Sequence, residues 1–343
     1  MAENVLVAPP MEEEPEPTPE RPSPWLRLAR LFLRQREASI VVVAIALIIY
    51  FQLSKPAFLS AQNIRTLSQF VAATAIISAG EVMLLICGEI DLSVGQVYAL
   101  APFIMYFAKQ EAGLPLIVGL ILGLIVCALV GLFNGLITVA LRVPSFITTL
   151  GTLFLINGLT LTISQGFPVL TPSEGLVDEV LGHASYSEII WAIAIAIVMQ
   201  IVLSWTRWGL HTIATGGNLL GASEVGVNVA RIKIGNFMLC SVLGGFAGTL
   251  EAFRITSIDP QAGGTDIMFL AVAGAVIGGT ALTGGLGTII GAFLGTLVLS
   301  ILRDGFTLLG VSAFTFDIIL GAAILVAMIL NVRLRLWREA GRE

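Results

Sequence analysis

Charge is scarce in this chain. Lys, Arg, Asp and Glu make up 12% of its 343 residues against 56% hydrophobic residues, and the mean hydropathy is +0.94. A soluble domain carries roughly 25% charged residues. A soluble body of this size could not cover its surface with so few, so the composition points to a polytopic membrane protein. The formal charge is −5 and no basic run lies away from the apolar segments, which leaves nucleic-acid binding without support. Lysine occurs only at Lys55, Lys109 and Lys233, and none follows a glycine. That rules out a G-x-x-x-x-G-K-[ST] phosphate loop, so the chain has no P-loop nucleotide site of its own. Cys87, Cys127 and Cys240 fall in separate apolar runs, which argues against a disulfide framework or a metal site and reads as small buried hydrophobes. His183 and His211 are isolated and expected in solvent-facing loops. There is no G-x-S-x-G and no H-E-x-x-H, so no catalytic residue is assigned and an enzyme is disfavoured.

Long apolar runs are what the chain has in quantity. A span needs about 20 mostly apolar residues, which gives about ten: 38–54, 66–87, 93–109, 114–141, 146–164, 188–206, 232–252, 266–281, 286–303 and 312–331. The fold class expected is all-α. An even count puts both termini in the cytoplasm. Arg27, Arg30, Arg34 and Arg36 before the first run agree, as do Arg142, Arg207, Arg231, Lys233, Arg333, Arg335 and Arg338. Lys55, Arg65, Lys109, Arg254 and Arg303 fall outside against the trend, but singly. The expected division is an acidic, proline-rich, disordered tail with a basic flank (1–37), a transmembrane domain (38–331) and a short basic cytoplasmic tail (332–343). The start of the chain lacks the basic and apolar pattern of a secretory signal.

Residues 88–95 read GEIDLSVG, two carboxylates between glycines with apolar runs on both sides. An ionisable group between two spans is costly in lipid and should face protein, a pore or a membrane surface. The plainest role for Asp91 is to cap a helix that begins near Leu92; a re-entrant break is the functional alternative, and the two are compatible. Glycines at four-residue spacing, as in Gly119, Gly123, Gly131 and Gly135 or Gly287, Gly291 and Gly295, line helix faces for close packing. The dense glycines of 278–287 suggest broken helices of the kind that line transport pathways. Two loops exceed a tight turn, an outer one at 165–187 and an inner one at 207–231. The inner loop has a helix-like middle at 219–225 with Asn218 as its cap. Loops of about 20 residues are uncommon unless functional or disordered, so both are candidates for partner contact.

Carboxylates in spans could also serve an ion-coupled carrier. The candidates are Glu81, Glu89, Asp91, Glu251, Asp266, Asp304 and Asp317, most at span ends where capping is the cheaper explanation. Glu81 lies deepest. Glu251 and Arg254 are spaced to pair on one helix face.

Three motifs in order then carry a resemblance. GEIDLSVG resembles the G-G-I-D-L-S-V-G of sugar-type ABC importer permeases, the ribose/xylose/galactose branch. Ala214, Gly216, Gly217 and Asn218, followed by Ala222, Gly226, Asn228 and Val229, resemble the cytoplasmic loop of that family. Residues 276–280 with Gly284, Gly285, Gly287 and Thr288 resemble a third motif, and Asn331 ends the last span. The resemblance runs from about residue 40 to 331. It implies a passive channel half in the bacterial inner membrane, with a second permease copy, two ATPase subunits that bind ATP and Mg, and a periplasmic solute-binding protein. It implies no cofactor on this chain. Gly88, Glu89, Asp91, Ser93, Gly95, Gly278, Gly279 and Thr280 would then belong to the path and its helix breaks, formed by spans two, three, eight and nine. Gly216, Gly217, Asn218, Ala222, Glu224 and Gly226 would form the ATPase coupling loop. Glu174, Asp178, Arg254 and Asp266 would face the binding protein. Glu89 stands where the family usually has glycine, Glu81 where an apolar residue is common, and Ser223-Glu224 where Arg-Leu is usual; substrate and partner pairing are the points these departures touch. The sister branch for branched-chain amino acids and the ion-coupled carrier are the alternatives.

Overall fold

The computed structural model describes residues 37–312, 315–319, 321–322, 325–326 and 329. The two expected tails with their arginines (apart from residue 37), Asn331 and part of the last expected span lie outside the described residues.

Helices form wherever an apolar run meets a start signal. α1 (Ala38–Ser54) leads through a 3-10 turn (Pro56–Leu59) to α2 (Ala61–Ile86), whose cap Ser60 accepts the Asn63 N–H at 3.3 Å. α3 (Val94–Gln110), α4 (Leu116–Ala140) and α5 (Ser145–Ser164) follow, the last two started by Pro115 and Pro144. At one end of the bundle β1 (Val169–Leu170) is followed by a short helix (Leu176–Asp178) and a π turn (Glu179–His183). α6 (Ser187–Trp205) then crosses to the other end, where α7 (Arg207–Gly217) and α8 (Leu219–Glu224) lie. α9 (Val229–Ile255) returns and ends at β2 (Ser257–Ile258), which pairs antiparallel with β1 through Val169↔Ile258 and Leu170↔Ser257. α10 (Gly264–Ile277) and α11 (Ile289–Leu308) complete the labelled helices, and helical residues continue within 315–329.

Among the described residues, α2, α4, α5, α6, α9 and α11 are long and apolar enough to cross a bilayer, and α1 and α10 are shorter apolar helices. α2 is the axis: 83% of its most apolar stretch is buried, against 33% for α4 and α5 and 28% for α6. The outer helices are inside-out relative to a soluble protein. Ile121, Ile125, Leu129 and Phe133 of α4 are exposed at four-residue spacing, a stripe that only lipid or another protein would cover cheaply. The opposite face of α4 carries the glycines, and they do bring backbones together. A Cβ on Gly119 or Gly123 would lie within 3 Å of the Met105 or Ala101 carbonyl oxygen of α3, and one on Gly131 or Gly135 would strike α9. α9 does the same for α3, with Gly244 against Val94 and Gly248 against the Tyr98 carbonyl. Gly291 and Gly295 of α11 meet Gly278 and Gly274. His211 differs from its expected place: it sits partly buried on α7, because the inner loop is helical from Arg207 onward.

Candidate functional site

Between α2 and α3 the chain does not simply turn. Gly88, at φ +75°, reverses it, and side chains of α9 mark its way back into the bundle. Lys233 pairs with Glu89, and the Ser241 hydroxyl donates to Asp91 Oδ2 at 3.3 Å. Lys233 and Ser241 are eight residues apart, about 12 Å along a helix at 1.5 Å per residue. α3 therefore starts well inside the bundle. Its first turn meets the first turn of α10, where a Cβ on Gly95 would fall 1.9 Å from the Gly264 carbonyl oxygen.

Asp91 is fully buried and holds this segment in shape. Its Oδ1 accepts the Ser93 N–H at 2.9 Å and the Ser93 hydroxyl at 2.6 Å, while the Asn134 amide of α4 reaches Oδ1 at 3.4 Å and Ser93 Oγ at 2.9 Å. This corrects the capping expectation. α3 begins at Val94 with Ser93 as N-cap, and Ser93 makes no side-chain cap bond. Asp91 instead closes a turn two residues ahead of itself, the local bond that short acidic side chains favour. Glu81, also fully buried, receives the Cys240 thiol at 3.5 Å on Oε1, and its Oε2 has no partner among the described residues.

Below this cluster the three motifs converge on one backbone oxygen. Ile86 O accepts the Gly285 N–H at 2.8 Å. A Cβ on Gly216 would sit 1.5 Å from that same oxygen, and one on Gly284 would lie 3.0 Å from it and 3.1 Å from Gly216 O. Gly284 and Gly285 have φ of +87° and +78°, so the junction needs glycine both for conformation and for space. Asn236 of α9 ties the same corner together. Its amide nitrogen reaches Met83 O, Cys87 Sγ and Thr212 Oγ1, each at 3.2 Å, and its oxygen accepts Trp208 Nε1 at 2.8 Å. Beyond the junction Gly278 packs on Gly291, Gly279 takes φ +92°, and Thr280 is fully buried.

Residues 63–328 match the profile of the family described as branched-chain amino acid transport system / permease component. The chain belongs to this family. All three motifs of the junction lie within the matched stretch. The permease is 39% identical to the xylose/arabinose import permease protein of Sulfolobus acidocaldarius, over 87% of this chain and 85% of that one. It is 33% identical to the ribose import permease protein of Bacillus subtilis, over 83% and 89% of the two chains. With the autoinducer 2 import system permease protein of Photorhabdus laumondii the identity is 32%, over 90% and 92%. No solved structure matches significantly.

The 207–231 segment of the permease carries the short helix its residues suggest. Asn218 caps α8 by accepting the Gly221 N–H at 2.9 Å, Ala222 is buried, and Glu224 and Gly226 are exposed, Gly226 at φ +88°. Leu220 is 74% exposed and Val225, which follows α8, 80%, so α8 and its cap offer an apolar surface that none of the described residues covers. At the opposite end most of the expected docking charges are already engaged. Glu174 pairs with Lys109 at 2.7 Å and accepts the Leu116 N–H at 2.8 Å, and these contacts hold its carboxyl below the usual 4.5. Asp178 binds the Ser173 hydroxyl and the Glu174 N–H, and Arg254 bridges Glu251 and Glu188, the latter at 3.1 Å. Asp266 remains exposed in the first turn of α10.

Asn134, Asn236, Ser241 and Trp208 were not among the expected site residues of the permease. Two of them carried a readable signal, since an amide inside an apolar run must find a partner. Cys240 is buried as expected, but it is also a donor to Glu81 and not only a small hydrophobe.

Proposed function

We propose that the permease moves a monosaccharide or related polyol across the bacterial inner membrane as half of a two-copy ABC importer channel. About ten spans with both termini in the cytoplasm, α3 and α10 entering as broken helices, provide the path. ATP and Mg are bound by separate ATPase subunits that dock on α8, and a periplasmic solute-binding protein delivers the sugar at the end that carries β1 and β2. The absence of a P-loop on this chain agrees with that division of labour.

The observation that carries the reading is the junction at Ile86 O. α7, which leads into the exposed apolar α8, presses without any side chain between them on the residue where α2 breaks. A displacement of α8 by an ATPase would thus be felt at the helix break directly. Sugar is favoured over branched-chain amino acids by GEIDLSVG and by relatives named for xylose/arabinose and ribose import. A mild-detergent pull-down from native membranes tests the assignment. A stoichiometric Walker-bearing ATPase, lost when Leu220→Asp is introduced, and a cross-linked binding protein carrying a sugar are the expected results. A lone chain that transports without ATP, or an ATPase retained by Leu220→Asp, would overturn it.

A further inference from the structure

α2, α10 and α11 enclose a shallow cleft whose lining includes Phe70, Thr74, Leu270, Thr296, Ser300 and Arg303. Two of its polar groups are unspent. Arg303 lies over the Phe70 ring at 5.1 Å and near Phe316 at 6.0 Å, and among the described residues no carboxylate pairs with it. Its neighbour Asp304 does not serve, because that carboxylate is taken by the Asn63 amide at 2.6 Å. The Ser300 side chain is 6% exposed and no described hydrogen bond engages its hydroxyl. Thr74 and Thr296 give their hydroxyl protons to backbone carbonyls, Phe70 O at 2.9 Å and Phe293 O at 2.9 Å, which leaves acceptor lone pairs on both oxygens.

A guanidinium fork, a free hydroxyl and two acceptor oxygens beside an apolar ring form a mixed surface. It does not suit bilayer hydrocarbon, which offers no partner for Arg303 or Ser300, and an anionic headgroup would serve Arg303 but not the acceptor oxygens of Thr74 and Thr296. It does suit a molecule with donors and acceptors on its edge and C–H groups on its face, which is the chemistry of a monosaccharide. The cleft is too shallow to enclose such a molecule, and that fits a surface touched in passing: a path that bound its cargo tightly would slow its release.

We infer that this cleft is a sugar-contact site on the translocation path, with Arg303 and Ser300 hydrogen-bonding the hydroxyls and the Phe70 ring holding the guanidinium in place. The inference rests on the sugar-importer reading above, and it adds residues that set specificity within the membrane subunit, apart from the binding protein.

The test is uptake by the full complex of permease, ATPase and binding protein in proteoliposomes, with radiolabelled D-xylose, L-arabinose, D-ribose and 2-deoxy-D-ribose as probes. Arg303→Gln should lower uptake of a transported sugar about tenfold, the loss expected for a charged hydrogen bond, and narrow its advantage over the deoxy analogue. Arg303→Lys should recover part of the rate, since it restores charge but not the two-pronged donor. ATPase activity with unliganded binding protein should stay unchanged in both. Phe70→Ala and Ser300→Ala should each reduce uptake several-fold, and they serve as readouts should Arg303→Gln fail to fold. If wild-type complex carries the sugars and these variants leave rate and deoxy discrimination unaltered, the cleft is not a contact site. If wild-type complex carries neither these four nor a hexose or polyol, the sugar reading itself fails, and the inference with it.

Discussion

Gly216→Ala and Gly217→Ala form a paired test of the junction, because the two glycines are neighbours at the end of α7 with opposite surroundings. A Cβ on Gly216 would lie 1.5 Å from Ile86 O and 2.7 Å from Gly285 N. An ordinary carbon–oxygen contact is about 3.3 Å, so α7 or the end of α2 must move by close to 2 Å. The Gly285 N–H to Ile86 O bond, now 2.8 Å, then has no room to persist. Overpacking costs about 1–3 kcal/mol, and an unmade buried backbone bond about 1–3 kcal/mol more. Gly216→Ala should therefore destabilise by about 2–6 kcal/mol. A Cβ on Gly217 meets nothing within 4 Å, so Gly217→Ala should fall within about 0.5 kcal/mol of wild type. Thermal unfolding in detergent reads the first difference. Stimulation of the partner ATPase by loaded binding protein reads the second, since a shifted α7 should also lose coupling. If Gly216→Ala is as stable and as well coupled as Gly217→Ala, the convergence on Ile86 O does not carry the load assigned to it.

Three further outcomes follow from the same geometry. Asp91→Ala removes the acceptor for Ser93 N and Oγ, Asn134 and Ser241, and should cost on the order of 3 kcal/mol or more and abolish uptake; wild-type uptake at wild-type protein levels would refute the structural role of that carboxylate. Glu81→Gln keeps the shape and an acceptor for Cys240 while removing a buried acid that has no cationic partner among the described residues, so its unfolding temperature should equal or exceed that of wild type; a clear drop would show that Glu81 has a charged partner. Glu174 is held below its usual 4.5 by Lys109 and Leu116 N–H, so its contribution to stability is complete above that value and is lost as pH falls through the lower folded one. The gap in unfolding temperature between wild type and Glu174→Gln should be constant from neutral to mildly acid pH and close below 4.5; a gap that closes on the alkaline side would contradict the sign.

The helices were legible because an apolar run near the thickness of a bilayer has few other uses, and the nine spans before 312 each correspond to a helix. α8 was legible because Asn218 announces it. What the residues could not announce was partner choice. The glycines at 216, 284 and 285 are plain in the sequence, yet nothing local says that all three surround one carbonyl oxygen, since Ile86 lies more than a hundred residues before them. Asp91 misled for a related reason. Its type and place suited a helix cap, but an acid two residues ahead of Ser93 can close its own turn, and the tertiary donors Asn134 and Ser241 favour that geometry. The charges at the β1–β2 end were legible in part: the spacing of Glu251 and Arg254 announces their pair, while the partners of Glu174 and Asp178 appear only in the folded chain.

The distance between the junction and the start of α3 bears on how a push at α8 could reach the path. Only residues 87–93 separate the end of α2 from the start of α3, and three of them are pinned, Cys87 by Asn236, Glu89 by Lys233 and Asp91 by Ser241, all on α9. A segment held at every other residue cannot absorb displacement as slack, so movement of Ile86 relative to α9 must either break these bonds or carry the first turn of α3 with it. That turn abuts the first turn of α10 at Gly95 and Gly264, with no side chain between them to act as a cushion. If two helix starts that meet inside the bundle parted, the gap between them would be lined by backbone polar groups and costly to leave dry. Separation would thus be favourable only where water or a hydroxylated cargo enters to satisfy them, which makes the broken helices better suited to a path opened in step with its cargo than to a standing pore.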